Sequence, residues 1–274
     1  MRIRAVLTDL DGTLLEPDGS VCAEALAAIA ALAAAGVPVL PVTSKTAAEL
    51  APLLARLAID APAGCENGAV VRLPGGTTEL LPGAVPLADL AAVLEGLRGR
   101  TAAPVRTLLE LSDAEMSSLT GLDGAALALA RRRQATLPLV VEPAWDDRLR
   151  AALPERPRLR LVRGNRFLHL HGDHAKDGAV PRLLAVAGAR DGAVVACGDA
   201  PNDAELLARA DLAVIVPGSA GPSAELRRCV PSARVAPHPH GRGWAAAMTT
   251  LLAADDGHAR GHAARPRTRG AARS

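Results

Sequence analysis

The chain has 274 residues, of which 49% are hydrophobic and 22% charged, enough to bury one large core or two smaller ones. Aromatic residues are 1% with no Tyr, so the interior must be Ala, Leu and Val, and stacking platforms for single-stranded nucleic acid are excluded. A net charge of +2, with part of the Arg excess in the last segment, leaves no basic footprint for nucleic acid. Cys22, Cys65, Cys197 and Cys229 have no CxxC spacing, which argues against zinc ligation and a disulfide framework. The N-terminus enters a strand almost at once, without a charged and then apolar leader. The Ala-rich stretch from Ala23 to Ala35 is too short to span a membrane and contains Glu24, so a cytoplasmic protein with no membrane partner is expected.

In chain order, the apolar run Ala5-Val6-Leu7 predicts a buried strand that ends in two carboxylates, Asp9 and Asp11, followed by Gly12 and Thr13. If the pleat continues, both carboxylates project the same way at the carboxyl end of the strand, where open α/β sheets bind ligands. Two like charges that close repel unless a cation lies between them, and a hard divalent ion such as Mg²⁺ suits oxygen ligands. A solvated turn is the plain alternative.

Ser20 or Val21 to Ala35 reads as a helix stopped by Gly36, and Val37 to Val42 as a second strand made irregular by Pro38 and Pro41. Thr43-Ser44-Lys45-Thr46 follows, and Thr46-Ala47-Ala48-Glu49 is a capping box opening a helix with Leu50, Leu53, Leu54 and Leu57 inward. Thr43 therefore falls at a strand end beside Asp9, although Thr43 and Ser44 could be turn residues and Lys45 a solvated charge. Cys65-Glu66-Asn67-Gly68 reads as a turn into the strand that begins near Ala69.

From 82 to 170 the pattern changes. Helical segments such as Leu87 to Leu97, a capping box at Ser112-Asp113-Ala114-Glu115 and the run Leu137 to Val141 replace the strand-end carboxylates. Pro138 demotes that run to an edge strand or a lead-in. Around Phe167, alternation places Asn165, Phe167 and His169 on one face and Arg166, Leu168 and Leu170 on the other. Arg166 suits a carboxylate or phosphate. His171, Asp173 and His174 have loop-like spacing and read as no metal site. Lys176 precedes a helix from Ala179 to Ala187. The strand Ala193 to Cys197 then runs into Gly198-Asp199-Ala200-Pro201-Asn202-Asp203, where Asp203 could also cap the helix Ala204 to Ala210. A strand at Leu212 to Val216, a helix from Trp244 to Leu252 and a disordered basic tail from 254 to 274 complete the reading.

Asp9-Leu10-Asp11-Gly12-Thr13 resembles the DxDGT signature of the haloacid dehalogenase-like (HAD) phosphohydrolases, and Thr43, Lys176 and Gly198 to Asp203 stand in the order of that superfamily's further motifs. The resemblance implies an α/β fold: a doubly wound parallel-sheet core over 1–81 and 171–253, with an α/β (C2-type) cap inserted at 82–170. It implies that Asp9 attacks phosphorus and that Asp11 protonates the leaving oxygen and later activates water. Thr43 would bond the phosphoryl group and Lys176 neutralise charge. Mg²⁺ would be held by the Asp9 carboxylate, the Asp11 main-chain carbonyl and Asp199, with Asn202 and Asp203 completing or orienting the site.

More narrowly, Thr43-Ser44-Lys45-Thr46 is similar to the SSKT-like tetrapeptide of the mannosyl-3-phosphoglycerate phosphatases, which makes Ser44 and Lys45 substrate-binding candidates. The segment holding Asn67 resembles one that borders the active site in Cof-like members. Thr120-Gly121-Leu122 and the stretch from Ala130 to Pro138 resemble that family's cap in part, with Gln134, Ala135 and Leu137 where the family prefers Glu, an aromatic and Glu. Arg163 to Leu170 is similar to its GGRFxH strand, making Arg166 a candidate for the glycerate end of a substrate, and His238 to Trp244 resembles its GPxGW segment. The implied activity is Mg²⁺-dependent hydrolysis of mannosyl-3-phosphoglycerate, a small phosphorylated sugar-glycerate, to the compatible solute mannosylglycerate. Alternatives are another sugar-phosphate phosphatase, such as one for glucosyl-3-phosphoglycerate, or a regulatory module that takes up a phosphoryl group without turnover; Asp11 argues against the last.

Overall fold

The computed structural model describes residues 2–155, 158–164 and 166–263; Asn165 and the tail from 264 onward lie outside them. The chain opens with β1 (Ile3–Thr8), α1 (Ala23–Ala34), β2 (Val39–Pro41) and α2 (Ala47–Arg56). A small antiparallel sheet follows, made of β3 (Ala63–Cys65), β4 (Val70–Arg72) and β5 (Thr78–Leu80). Next come α3 (Leu87–Thr101), β6 (Arg106–Thr107), α4 (Asp113–Thr120), α5 (Gly124–Ala130), β7 (Thr136–Val140), α6 (Asp146–Ala151), β8 (Leu159–Arg163) and β9 (Leu168–Gly172). The rest comprises α7 (Val180–Val186), β10 (Ala193–Gly198), α8 (Ala204–Ala208), β11 (Leu212–Ile215), α9 (Ala224–Cys229), β12 (Arg234–Val235) and α10 (His240–Ala263).

The central sheet is parallel and five-stranded, in the order β12-β11-β10-β1-β2. β1, β2 and β10 are buried on both faces, which is why they read as apolar runs, while the edge strand β12 is exposed. Ala5 and Leu7 pack on α7 to α9 with Val194, Ala196 and Leu226, while Val6 packs the other way with Val195, Leu32 and Trp244. The capping box at Thr46 is formed in full, and Leu50, Leu53, Leu54 and Leu57 are buried as the spacing predicts. β2 is an end strand of its sheet, with Pro41 at its last position and Pro38 just before it giving its carbonyl to the Val6 N–H.

The inserted region carries an antiparallel sheet in the order β6-β7-β9-β8, covered on one side by α3 and α6 through Leu90, Leu94, Leu137, Leu139, Leu149, Leu168 and Leu170. Here one expectation is corrected. The strand containing Pro138 is interior, paired to β9 through Pro138 and His169. β6 reaches only Leu139 and Val140, so no partner on that flank requires the N–H that Pro138 lacks. A second correction concerns the last helix, which runs to Ala263 and takes in residues 254–263 that the sequence assigned to the tail.

The two crossings between the sheets lie side by side. A Cβ on Gly172 would collide with the Gly83 carbonyl, and one on Gly83, at φ +87°, with the carbonyl of Asp173. Glycine at both positions is what allows the backbones to touch.

Candidate active site

β1 delivers Asp9 to the carboxyl end of the parallel sheet, where its N–H donates to the Cys197 carbonyl of β10. The carboxylate is buried and accepts from Lys176 Nζ at 2.7 Å. The same ammonium donates to Asp203 Oδ1 at 2.6 Å, and Asp203 Oδ2 takes the N–H groups of Asp199 and Ala200, each at 3.1 Å. Asp203 thus ties Lys176 to the turn after β10. The expected side-chain cap of α8 does not form, because these partners occupy the carboxylate.

Ligand oxygens of Asp9, Asp199 and Asp203 come within 4.8 Å of one another. At that spacing each pair of ionised carboxylates repels by roughly 3–4 kcal/mol at an effective dielectric of 20. Lys176 offsets one of the three charges. Burial, then the neighbouring carboxylates, push the Asp9 carboxyl well above the usual range against the pull of Lys176. Burial alone would pull the Lys176 ammonium down, but Asp203 and Asp9 more than reverse this, so it stays charged. A hard cation with oxygen ligands relieves the repulsion that Lys176 leaves, so the donor set fits Mg²⁺.

Thr13, which the sequence reading passed over as part of the turn, donates from Oγ1 to Asp199 Oδ1 at 3.0 Å. Gly12 sits at φ +83°, and any Cβ there would drive into the Asp199 carboxylate. The turn after β1 therefore demands glycine for conformation and for space.

Asp9 and Asp11 both lie beyond the last residue of β1. The Asp11 carboxylate is half exposed, pairs with Lys45 Nζ at 2.9 Å and adds to the negative charge felt by Asp9. Burial works against the Lys45 ammonium, yet Asp11 and Glu49 raise its pKa on balance. Thr43 is fully buried, with Oγ1 accepting from the Lys45 N–H at 3.3 Å and its carbonyl from the Asn67 N–H at 2.9 Å. Asn67 adopts φ +57° and keeps a buried Oδ1 without a partner. Ser44 offers its carbonyl to Arg133 Nη1 at 3.1 Å. Asn202 is half buried in the same short turn as Asp203. Arg166 is exposed on the turn before β9 and donates to the Thr120 carbonyl; among the described residues no contact joins it to the carboxylates or to Thr43, Ser44 and Lys45.

Sequence reasoning also missed Glu66. It is fully buried at φ +51° and accepts from the N–H groups of Gln134 (2.7 Å), Ala135 (3.0 Å) and Thr136 (2.8 Å) and from Thr136 Oγ1 (2.9 Å). Thr46 Oγ1 to the Leu129 carbonyl (3.0 Å) and Arg160 Nη2 to Glu205 Oε1 (2.5 Å) add further ties between the two halves. His169 and His171 leave β9 on the face opposite Leu168 and Leu170, and burial first, then Arg133 and His171, hold the His169 imidazole neutral.

Residues 6–80 match the family model of the haloacid dehalogenase-like hydrolases. Solved structures agree over nearly the whole chain. A Thermoplasma acidophilum protein is 18% identical with a TM-score of 0.71, covering 92% of this chain and 99% of that one. A phosphatase of the haloalkanoate (HAD) superfamily from Bacteroides thetaiotaomicron is 17% identical, TM-score 0.70, over 92% and 94%. A sugar phosphatase of HAD subclass IIB is 16% identical, TM-score 0.69, over 90% and 98%. The chain has the HAD hydrolase fold. In that fold the parallel sheet ends at Asp9, Asp199 and Asp203, and the antiparallel sheet of β6 to β9 is the inserted cap. No helix among the described residues is long and apolar enough to cross a membrane.

Proposed function

We propose that the protein is a Mg²⁺-dependent phosphatase of small sugar phosphates that works through an aspartyl-phosphate on Asp9. The observation that carries the reading is the Lys176 ammonium seated between Asp9 and Asp203, beside Asp199, directly after a buried parallel strand. Phosphate monoesters hydrolyse very slowly unaided, so charge neutralisation and positioning must do most of the catalysis.

Asp9 attacks phosphorus in line, the bond to the leaving oxygen breaks, and Asp11 gives that oxygen its proton. Asp11 then takes a proton from the water that attacks the phospho-Asp9, releasing phosphate and regenerating both carboxyl groups. Its half-exposed position at the mouth suits contact with the leaving group and with water. Lys176 holds Asp9 in place and offsets the charge that gathers on the phosphoryl oxygens, assisted by Thr43, Ser44 and Lys45. Mg²⁺ bound by Asp9, Asp199 and the Asp11 carbonyl would add electrostatic stabilisation of the transferring group. Asp203 carries three donors already and serves by fixing Lys176 and the turn of Asp199 and Asn202.

Residues 1–81 and 171–253 act as the catalytic core and 82–170 as a cap that selects the substrate. The resemblance to mannosyl-3-phosphoglycerate phosphatases supports that substrate. Two of its departures lie in the packing: Leu137 is core filler under α3, and Ala135 is buried with its N–H on Glu66. The test is phosphate release with Mg²⁺ from mannosyl-3-phosphoglycerate, glucosyl-3-phosphoglycerate and hexose phosphates, with Asp9→Asn as control. A clear preference for the first is expected. Equal rates across the panel would discard that substrate, and release unaffected by Asp9→Asn would discard the nucleophile.

A further inference from the structure

Arg133 stands on the cap immediately before β7 and reaches across to the catalytic loop. One end of its guanidinium is committed: Nη1 donates to the Ser44 carbonyl at 3.1 Å and to Thr136 Oγ1 at 2.8 Å. The other edge has no protein partner. Nε is buried without a partner, and among the described residues Nη2 makes no hydrogen bond and no carboxylate pairs with the guanidinium.

That edge is the one this protein uses elsewhere to grip carboxylates. Arg182 places Nε and Nη2 on Glu79 at 2.8 and 2.7 Å, and Arg163 places the same two nitrogens on Asp146. Parallel N–H donors at this spacing match the two oxygens of a carboxylate or phosphate. Of this edge only Nε is buried, and a buried N–H with nothing to bond is satisfied by a ligand oxygen that Nη2 can share.

Its aim is fixed from below. Glu66 of the core grips Gln134, Ala135 and Thr136, the residues that follow Arg133, and the Thr136 hydroxyl passes between the two side chains, donating to Glu66 and accepting from Arg133. Arg133 is thereby held on the Ser44 carbonyl, one residue from Thr43 and one from the Lys45 that pairs with Asp11. Arg166 lacks this placement, being exposed and engaged with Thr120.

We propose that Arg133 is the cap's oxyanion reader: its Nε–H and Nη2–H edge receives a second negative group of the substrate while the phosphoryl group to be removed lies at Asp9. The inference rests on the phosphatase reading and narrows it to phosphomonoesters that carry a carboxylate or a further phosphate. Glu66 is a positioning residue that acts through Thr136.

The test compares kcat/KM for mannosyl-3-phosphoglycerate (a carboxylate), fructose 1,6-bisphosphate (a second phosphate) and mannose 6-phosphate (neither). Arg133→Gln should cut the ratio of the better oxyanion substrate to mannose 6-phosphate by about ten- to hundredfold, chiefly through KM. Arg133→Lys, which keeps charge without the fork, should recover only part of it. Which of the two oxyanion substrates responds tells a carboxylate from a phosphate. An unchanged ratio, whether all rates fall together or none does, overturns the proposal and leaves Arg133 a brace for Ser44. Should the wild type release no phosphate from any substrate, the phosphatase reading fails, and binding still decides Arg133. In Asp9→Asn protein, calorimetry with 3-phosphoglycerate against glycerol 3-phosphate, and with fructose 1,6-bisphosphate against fructose 6-phosphate, should show tighter binding of the member with the second oxyanion in at least one pair, lost on adding Arg133→Gln. Equal affinities within both pairs, or no binding, overturn it.

Discussion

At the carboxyl end of the parallel sheet Asp203 accepts from three donors and Lys176 donates to two carboxylates, whereas Arg133 Nε and His169 Nδ1 of the inserted region are buried with no partner. The first region is arranged before any substrate arrives, so little reorganisation is left for the chemical step. The second has polar atoms to spare, and a ligand group that reached them would be bound the more tightly for satisfying them. Chemistry is fixed by the protein's own pairs. Recognition is left for the ligand to complete.

The sharpest way to break this division is at Asp9. Asp9→Asn should lower turnover by at least about a thousandfold in a phosphate-release assay, since the attacking oxygen is gone. The same variant should alter the stability profile of the metal-free protein. Burial raises the Asp9 carboxyl, so from pH 3.8 upward to its raised pKa the folded protein keeps a proton that the unfolded chain has released. Stability therefore falls as pH rises through that window, and Asp9→Asn should flatten the slope in urea titrations. A slope that persists in the variant would assign the proton elsewhere.

Lys176→Met comes next. It leaves Asp9 and Asp203 buried beside each other without the ammonium they share. Turnover should be lost with a fall of about 3–5 kcal/mol in unfolding free energy, read from the urea midpoint. Stability close to wild type would mean that water reaches these carboxylates. Glu66→Gln tests the seam between the regions: replacing one acceptor oxygen by an NH₂ that faces backbone donors should cost about 1–3 kcal/mol and shift substrate preference in the direction of Arg133→Gln. Stability loss with selectivity intact would separate the latch from Arg133. The smallest effect belongs on the outside of the cap. Arg106, first by its hydrogen bonds, takes the exposed Glu115 carboxyl to about 2, yet Glu115→Gln should leave the urea midpoint and the rate unmoved within error.

The end of β1 and the turn after β10 were readable because carboxylates that follow a buried strand at once have few structural uses. The capping boxes at Thr46 and Ser112 were readable because their partners lie three residues away. Glu66 was not, because the N–H groups that explain it come 68 to 70 residues later and leave no local pattern. Pro138 misled for a related reason: whether a strand tolerates proline depends on how far its neighbour extends, and β6 stops short.

The glycine crossing at Gly83 and Gly172 bears on how such a molecule can be rebuilt. Four residues after Gly172 the chain reaches Lys176, so the strand that carries His169 runs straight into the ammonium that pairs with Asp9 and Asp203. A transplanted cap spliced at the ends of its sheet would bring its own lead into that lysine and reset the active centre along with the specificity. Grafts that keep 172–176 and the Gly83 contact native should exchange the substrate and spare the chemistry.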